Sequence, residues 1–187
     1  MKIYRAEIVP LNAEKIGHSA HGTALLVING DTLTINLEMF DTPANAQHWE
    51  HFHGFPDGQP AAIATMAQDT NHDGFVDLPE TGVVSGTTMV PLDAAPHKMN
   101  IPNDDYPVAD ANGYFAYTKV VPLAELTTNF KATFNDSDLE LDKRVIYVHG
   151  VTDDVPLPAT VAGAVGHYST HVTLPIAVGK IELVQSL

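Results

Sequence analysis

The stretch Gly22-Thr-Ala-Leu-Leu-Val-Ile-Asn-Gly-Asp-Thr-Leu-Thr-Ile-Asn-Leu-Glu-Met-Phe40 reads as two strands about a turn. Gly22 to Ile28 is rich in β-branched and aliphatic residues, and Thr32 to Phe40 alternates with period two. Asn29-Gly30-Asp31 lies between them, and an Asn-Gly pair flanked by β-rich runs is a strong hairpin signal. Before the hairpin, Ile3, Arg5, Glu7 and Val9 interleave with Tyr4, Ala6 and Ile8 in the same manner. Beyond it, strand-like runs return at Val83 to Val90, Gly113 to Val121, Leu139 to Val148 and His171 to Val184. Gly54 to Gln68 is rich in Pro, Gly and Ala and fits a loop or a short helix, and Pro91 to Asn112 favours irregular structure. About eight strands with turn punctuation and no long amphipathic helix predict an all-β fold, an antiparallel sandwich or barrel with long loops. Residues 1–187 read as a single domain, with no internal repeat or linker.

The charge excludes several partners. Nine Lys plus Arg against 23 Asp plus Glu give a net charge of −14, which argues against nucleic acid or an anionic membrane and favours cations. There is no cysteine, hence no disulfide, thiolate site or Cys nucleophile. Gly-x-Ser-x-Gly and His-Glu-x-x-His patterns are missing too, so hydrolases lack their usual parts. Met1 to Pro10 lacks the apolar core of a signal peptide, and no window has the length of a transmembrane helix.

Two stretches point to metal. In His48-Trp-Glu-His-Phe-His-Gly-Phe55, His51 and His53 are two apart and project from one side of a strand, as two ligands of one ion must. Asp69 to Glu80 fits a twelve-residue calcium loop embedded in a β protein. Asp69, Asn71 and Asp73 fall at positions one, three and five and Gly74 at six. The Phe75 carbonyl falls at seven, Asp77 at nine and Glu80 at twelve. Four carboxylates in twelve residues repel one another without a cation. The flanking helices of such loops are not evident, since Val83 to Val90 reads as a strand.

The two His stretches, read together, carry a resemblance. A Gly-led hairpin is followed by His51-x-His53-x-Phe55, a long loop region, then Arg144, His149, Asp153 and Asp154, and finally Ala177, Gly179 and Ile181. Over most of the chain this resembles the copper–zinc superoxide dismutase family and the related chordin-type (CHRD) domains, whose leader looks like Ala20 to Leu25. The resemblance implies an eight-stranded Greek-key barrel with copper held by His51, His53 and His149. It also implies superoxide as substrate, one superoxide reducing the metal with release of dioxygen and a second reoxidising it to give peroxide. The second ring nitrogen of each ligand would need a partner, for which a backbone carbonyl or Glu50 is available.

The chain departs from the family pattern. Only His72 and His97 occupy the region of the zinc ligands, so no zinc site is expected. Val178 stands where a disulfide cysteine would fall, and the anion-guiding arginine would fall near Pro175. Only Lys98, Lys143, Arg144 and Lys180 are placed to focus a positive field. A fourth copper ligand is left open between His48 and His97, ahead of His167 and His171. His18 and His21 read as exposed, and Trp49 and Tyr147 as packing residues in apolar runs. Two classes of function follow: a copper-only relative that turns over superoxide, and a noncatalytic, calcium-stabilised CHRD-like binding domain. The calcium loop and the family favour an extracytoplasmic location, and the lack of a signal peptide a cytoplasmic one. Oligomeric state is not legible.

Overall fold

The computed structural model describes residues Met1–Leu187. The chain folds as an all-β protein of nine antiparallel strands in one curled sheet. The strands are β1 (Lys2–Pro10), β2 (His21–Asn29), β3 (Thr32–Phe40), β4 (Glu50–Gly54), β5 (Thr87–Pro91), β6 (Phe115–Pro122), β7 (Val145–His149), β8 (Pro175–Lys180) and β9 (Glu182–Ser186). Their spatial order is β5-β4-β7-β8-β1-β2-β3-β6, with β9 also paired to β1. The non-sequential neighbours β4 with β7, β1 with β8 and β3 with β6 are long-return pairings of the Greek-key kind.

The hairpin forms as its sequence dictates. Asn29 pairs with Thr32 across a two-residue loop, and Gly30 takes φ +57°, a conformation glycine adopts without a Cβ clash. Alternation then sorts the side chains. Leu26, Leu33, Ile35 and Leu37 enter the main core, while Thr23, Leu25 and Glu38 face out.

Several expected strands are shorter, or are helices. Val83 is not in a strand: α2 (Leu78–Ser85) runs through it and β5 begins at Thr87. Asp77 caps this helix with Glu80 in a reciprocal capping box, Pro79 enters its first turn, and Gly86 at φ +75° ends it. Local capping thereby overrides the strand preference of Val83 and Val84. Leu139 to Arg144 forms a turn with a short 3-10 helix at Leu141–Lys143. His171 to Val184 divides into α4 (Thr170–Thr173), β8 and β9. An eleven-residue helix, α3 (Leu123–Thr133), buries Leu126 and Phe130 against the barrel, one turn apart on one face. One further helical turn, α1 (Ala13–Ile16), links β1 to β2. No helix is long and apolar enough to cross a membrane.

A second, smaller apolar cluster positions the site. Val145, Tyr147 and Val178 lie on the outer side of β7 and β8, with Leu11, Ala61, Ala64 and Val76 packed over them. Ile146, Val148 and Phe52 point the other way, into the main core. The outer face of β4, β7 and β8 is therefore dry beneath loops.

Candidate metal centre

Alternation along β4 sends Phe52 inward and His51 and His53 outward. The pairing of His51 with Tyr147 and His53 with Val145 places both histidines on the dry outer face. His149 ends β7, its N–H donating to the Trp49 carbonyl, and the register with β8 shifts between Val148 and His149. Gly150 follows at φ +112°, where a Cβ would stand 3.0 Å from the Gln47 carbonyl oxygen. The chain thus turns away immediately after His149.

One ring nitrogen from each of His51, His53 and His149 lies within 4.8 Å of the others. No other set of three or more His or acidic side chains in the chain converges in this way. All three rings are buried, at 1–2% exposure. His51 Nδ1, His53 Nδ1 and His149 Nε2 have no hydrogen-bond partner. The opposite nitrogens are engaged. His149 Nδ1 is 2.9 Å from the Thr173 carbonyl oxygen, which can only accept, so this nitrogen donates and Nε2 carries a lone pair. The Tyr106 hydroxyl donates to the Ile101 carbonyl at 2.6 Å, so it accepts from His51 Nε2 at 2.9 Å and leaves Nδ1 as a lone pair. His53 Nε2 is 3.5 Å from Thr88 Oγ1, a long contact.

Burial sets the protonation. Desolvation, followed by the neighbouring histidines, holds His51 and His53 well below the ordinary imidazole range. Desolvation brings His149 down to about 4, against the raising effect of its bond to Thr173. The rings are neutral at pH 7, the form that ligates metal. Lone pairs facing one another in a dry site repel, and a cation resolves the conflict. Imidazole donors fit copper, zinc, iron and nickel, so the donor set accepts the copper the resemblance implies.

The other expected ligands lie elsewhere. His48 is buried, but its Nδ1 and Nε2 each face a carbonyl oxygen, that of His149 at 3.0 Å and that of Pro43 at 2.9 Å, and its ring stacks on Phe115. Neither nitrogen is free. His97 sits on a 3-10 turn with Nε2 3.8 Å from Glu125 on α3, outside the cluster. His171 Nε2 bonds the Val155 carbonyl, His21 is exposed, and His18 pairs with Asp41. Glu50 faces away from the histidines. It is fully buried with both carboxylate oxygens unpartnered, and desolvation raises its pKa well above the ordinary carboxyl value. The partners of the ligand rings are instead Tyr106, Thr88 and Thr173. None of them carries a sequence signal, because each reaches the site through loop or sheet geometry. Arg144 is wholly buried, its guanidinium bonded to the carbonyls of Leu139, Phe55 and Asp138. Lys143 pairs with Glu140, and Lys180 bonds the Asp142 carbonyl. Of the four expected basic groups, only Lys98 is left exposed and unpaired.

The Asp69 to Glu80 loop is closed by its own hydrogen bonds. Asp69 Oδ2 accepts from Gly74 N at 3.0 Å, with Gly74 at φ +92°. Asp73 Oδ1 accepts from Phe75 N, and Asn71 Oδ1 from Asp73 N. Glu80 accepts from the Thr70 and Asp77 amides, and Asp77 from those of Glu80 and Ala162. The exit helix that the sequence does not reveal is present as α2, with Glu80 in its first turn.

No protein-family model matches the chain, and no curated protein matches it either. The chemistry of this centre therefore stands on its own residues, which form a buried three-histidine group able to hold a metal ion.

Proposed function

We propose that this is a metal-binding protein whose resident ion is copper, held by His51, His53 and His149 in a superoxide-dismutase-like barrel. The observation that carries the reading is the convergence of three buried, unpartnered ring nitrogens within 4.8 Å. The Greek-key strand order is the architecture the resemblance implies, and the choice of copper among the imidazole-binding metals rests on that resemblance. None of the five main cavities is lined by any of the three histidines. That closure, together with the net charge of −14, weighs against turnover of superoxide at the metal and favours an ion shielded from small anions. The test is metal analysis of protein purified without added metal, followed by copper titration. His51→Ala and His149→Ala should each abolish tight binding. Equal affinity of the native chain and the double variant would refute the site, and rapid consumption of superoxide by the copper form would restore the enzymatic reading.

Calcium at Asp69 to Glu80 is a second, separate part of the proposal. It is favoured by α2, which places Glu80 where the exiting helix of such a loop supplies its twelfth residue. Its role would be to order the loop that packs over the outer sheet face. A melting temperature unmoved by calcium and by chelator would remove it.

A further inference from the structure

The closed site raises the question of how a redox metal would exchange electrons there. Trp49 is the sole tryptophan of the chain and is 2% exposed. Its place in an apolar run marks it as packing, and three rings meet it there: it stacks on Tyr106 with centroids 5.4 Å apart. Its indole also meets the His51 ring edge-on at 5.9 Å and the Tyr168 ring at 4.7 Å. Tyr168 is half-buried and lines a depression of about 290 Å³ together with Asp104 and Asp153. An unbroken series of aromatic contacts therefore joins a buried ligand to an acidic patch at the surface.

Resting on the copper reading above, we propose that Trp49 and Tyr168 form a one-electron path between the ion held by the three histidines and this depression, and that its partner is a cationic one-electron carrier. With copper held by His51, His53 and His149, a reduced carrier at the depression would give up one electron at Tyr168, Trp49 would relay it towards the three histidines, and an oxidised carrier would take one back by the same route. No bond to the ion forms or breaks. The Trp49 Nε1–H has no hydrogen-bond acceptor, so an oxidised indole keeps its proton and the step reverses without proton loss. Tyr168 shares the depression with Asp104, and desolvation followed by that carboxylate raises the pKa of its hydroxyl. A transiently oxidised Tyr168 releases its proton to the water of the depression and recovers it with the electron. Asp104 and Asp153 attract cations and repel superoxide, in keeping with the charge of the whole chain.

Two measurements test the path. In metal-free protein, flash-quench oxidation by tris(bipyridyl)ruthenium should generate the radical of Trp49. Its yield should fall on the order of tenfold in Tyr168→Phe, a substitution at the rim that leaves the fold intact. An unchanged yield overturns the path. In copper-loaded protein, reduction by hexaammineruthenium(II) should slow roughly tenfold in both Tyr168→Phe and Trp49→Phe, a barrier change of about 1.4 kcal/mol, while the copper resonance spectrum and copper affinity stay as in the native chain. Ferrocyanide, an anion, should react more slowly than the ruthenium cation. Unchanged rates, or a preference for ferrocyanide, refute the proposal. Absence of a histidine-ligated copper spectrum in the native protein would instead refute the metal reading, and is distinguishable because the radical yield in metal-free protein is measured independently.

Discussion

His149 donates through Nδ1 to the Thr173 carbonyl, and that one bond decides which of its nitrogens faces the cluster. The same logic operates one contact further out at His51. The Tyr106 hydroxyl, committed to Ile101, accepts from Nε2 and turns the lone pair inward. Outer partners of this kind fix ring orientation and tautomer. Tyr106→Phe should therefore weaken copper binding on the order of tenfold to a hundredfold; because it leaves the His51 Nε2–H and the Ile101 carbonyl without their partner, it should also lower the stability of metal-free protein by about 1–3 kcal/mol, as isothermal titration and thermal denaturation would show. The three converging histidines are legible in the sequence because their spacing and order are. Tyr106, Thr88 and Thr173 are not, because only the folded chain brings them to the rings.

At the scale of elements, Asp77 and Glu80 show how one pattern supports two readings. Their spacing from Asp69 is that of a cation loop, and their spacing from each other is that of a helix capping box, which α2 displays. The strand reading of Val83 fails because β-branched side chains express a preference that a capped, Pro-started turn overrides. α3 escapes notice for a related reason: Thr127, Thr128 and Thr133 dilute its pattern, and its buried stripe is only Leu126 and Phe130. The hairpin β2–β3, by contrast, is fully legible from period two and its turn. Asp77→Ala removes the acceptor of Glu80 N and of Ala162 N. It should cost about 1–2 kcal/mol of stability in denaturant unfolding, and it should abolish any calcium-dependent rise in melting temperature.

At the scale of the whole molecule, the buried titratable groups shape the acid response. His51, His53 and His149 have folded pKa values depressed from the ordinary 6.5. Above that value neither the folded nor the unfolded state binds the proton, and their contribution to stability is fully present. As pH falls from 6.5 towards the value of about 4 for His149, the unfolded chain takes protons that the folded one refuses, and stability is lost. Each such proton contributes about 1.4 kcal/mol per pH unit. Glu50 acts with the opposite sign. Its raised folded pKa lends stability below its ordinary value near 4.5, and this is lost as pH rises. Three histidines outweigh one carboxyl, so metal-free protein should lose stability steadily on acidification from pH 6.5. Glu50→Gln, which cannot ionise, should steepen that loss between pH 6.5 and 4.5, measured by denaturant unfolding at each pH.

The pairing of β1 has a consequence for the order in which the chain can be completed. One side of β1 zips to β2 across a short connection, but the other side waits for β8 and β9, where Val9 meets Val178 and Ile3 meets Gln185. During synthesis that side of β1 is a bare strand edge until β8 and β9 have left the ribosome, and bare edges recruit other nascent chains. Arg5 and Glu7, outward-facing and paired with each other, lie along this strand, and charged side chains on a waiting edge discourage such encounters.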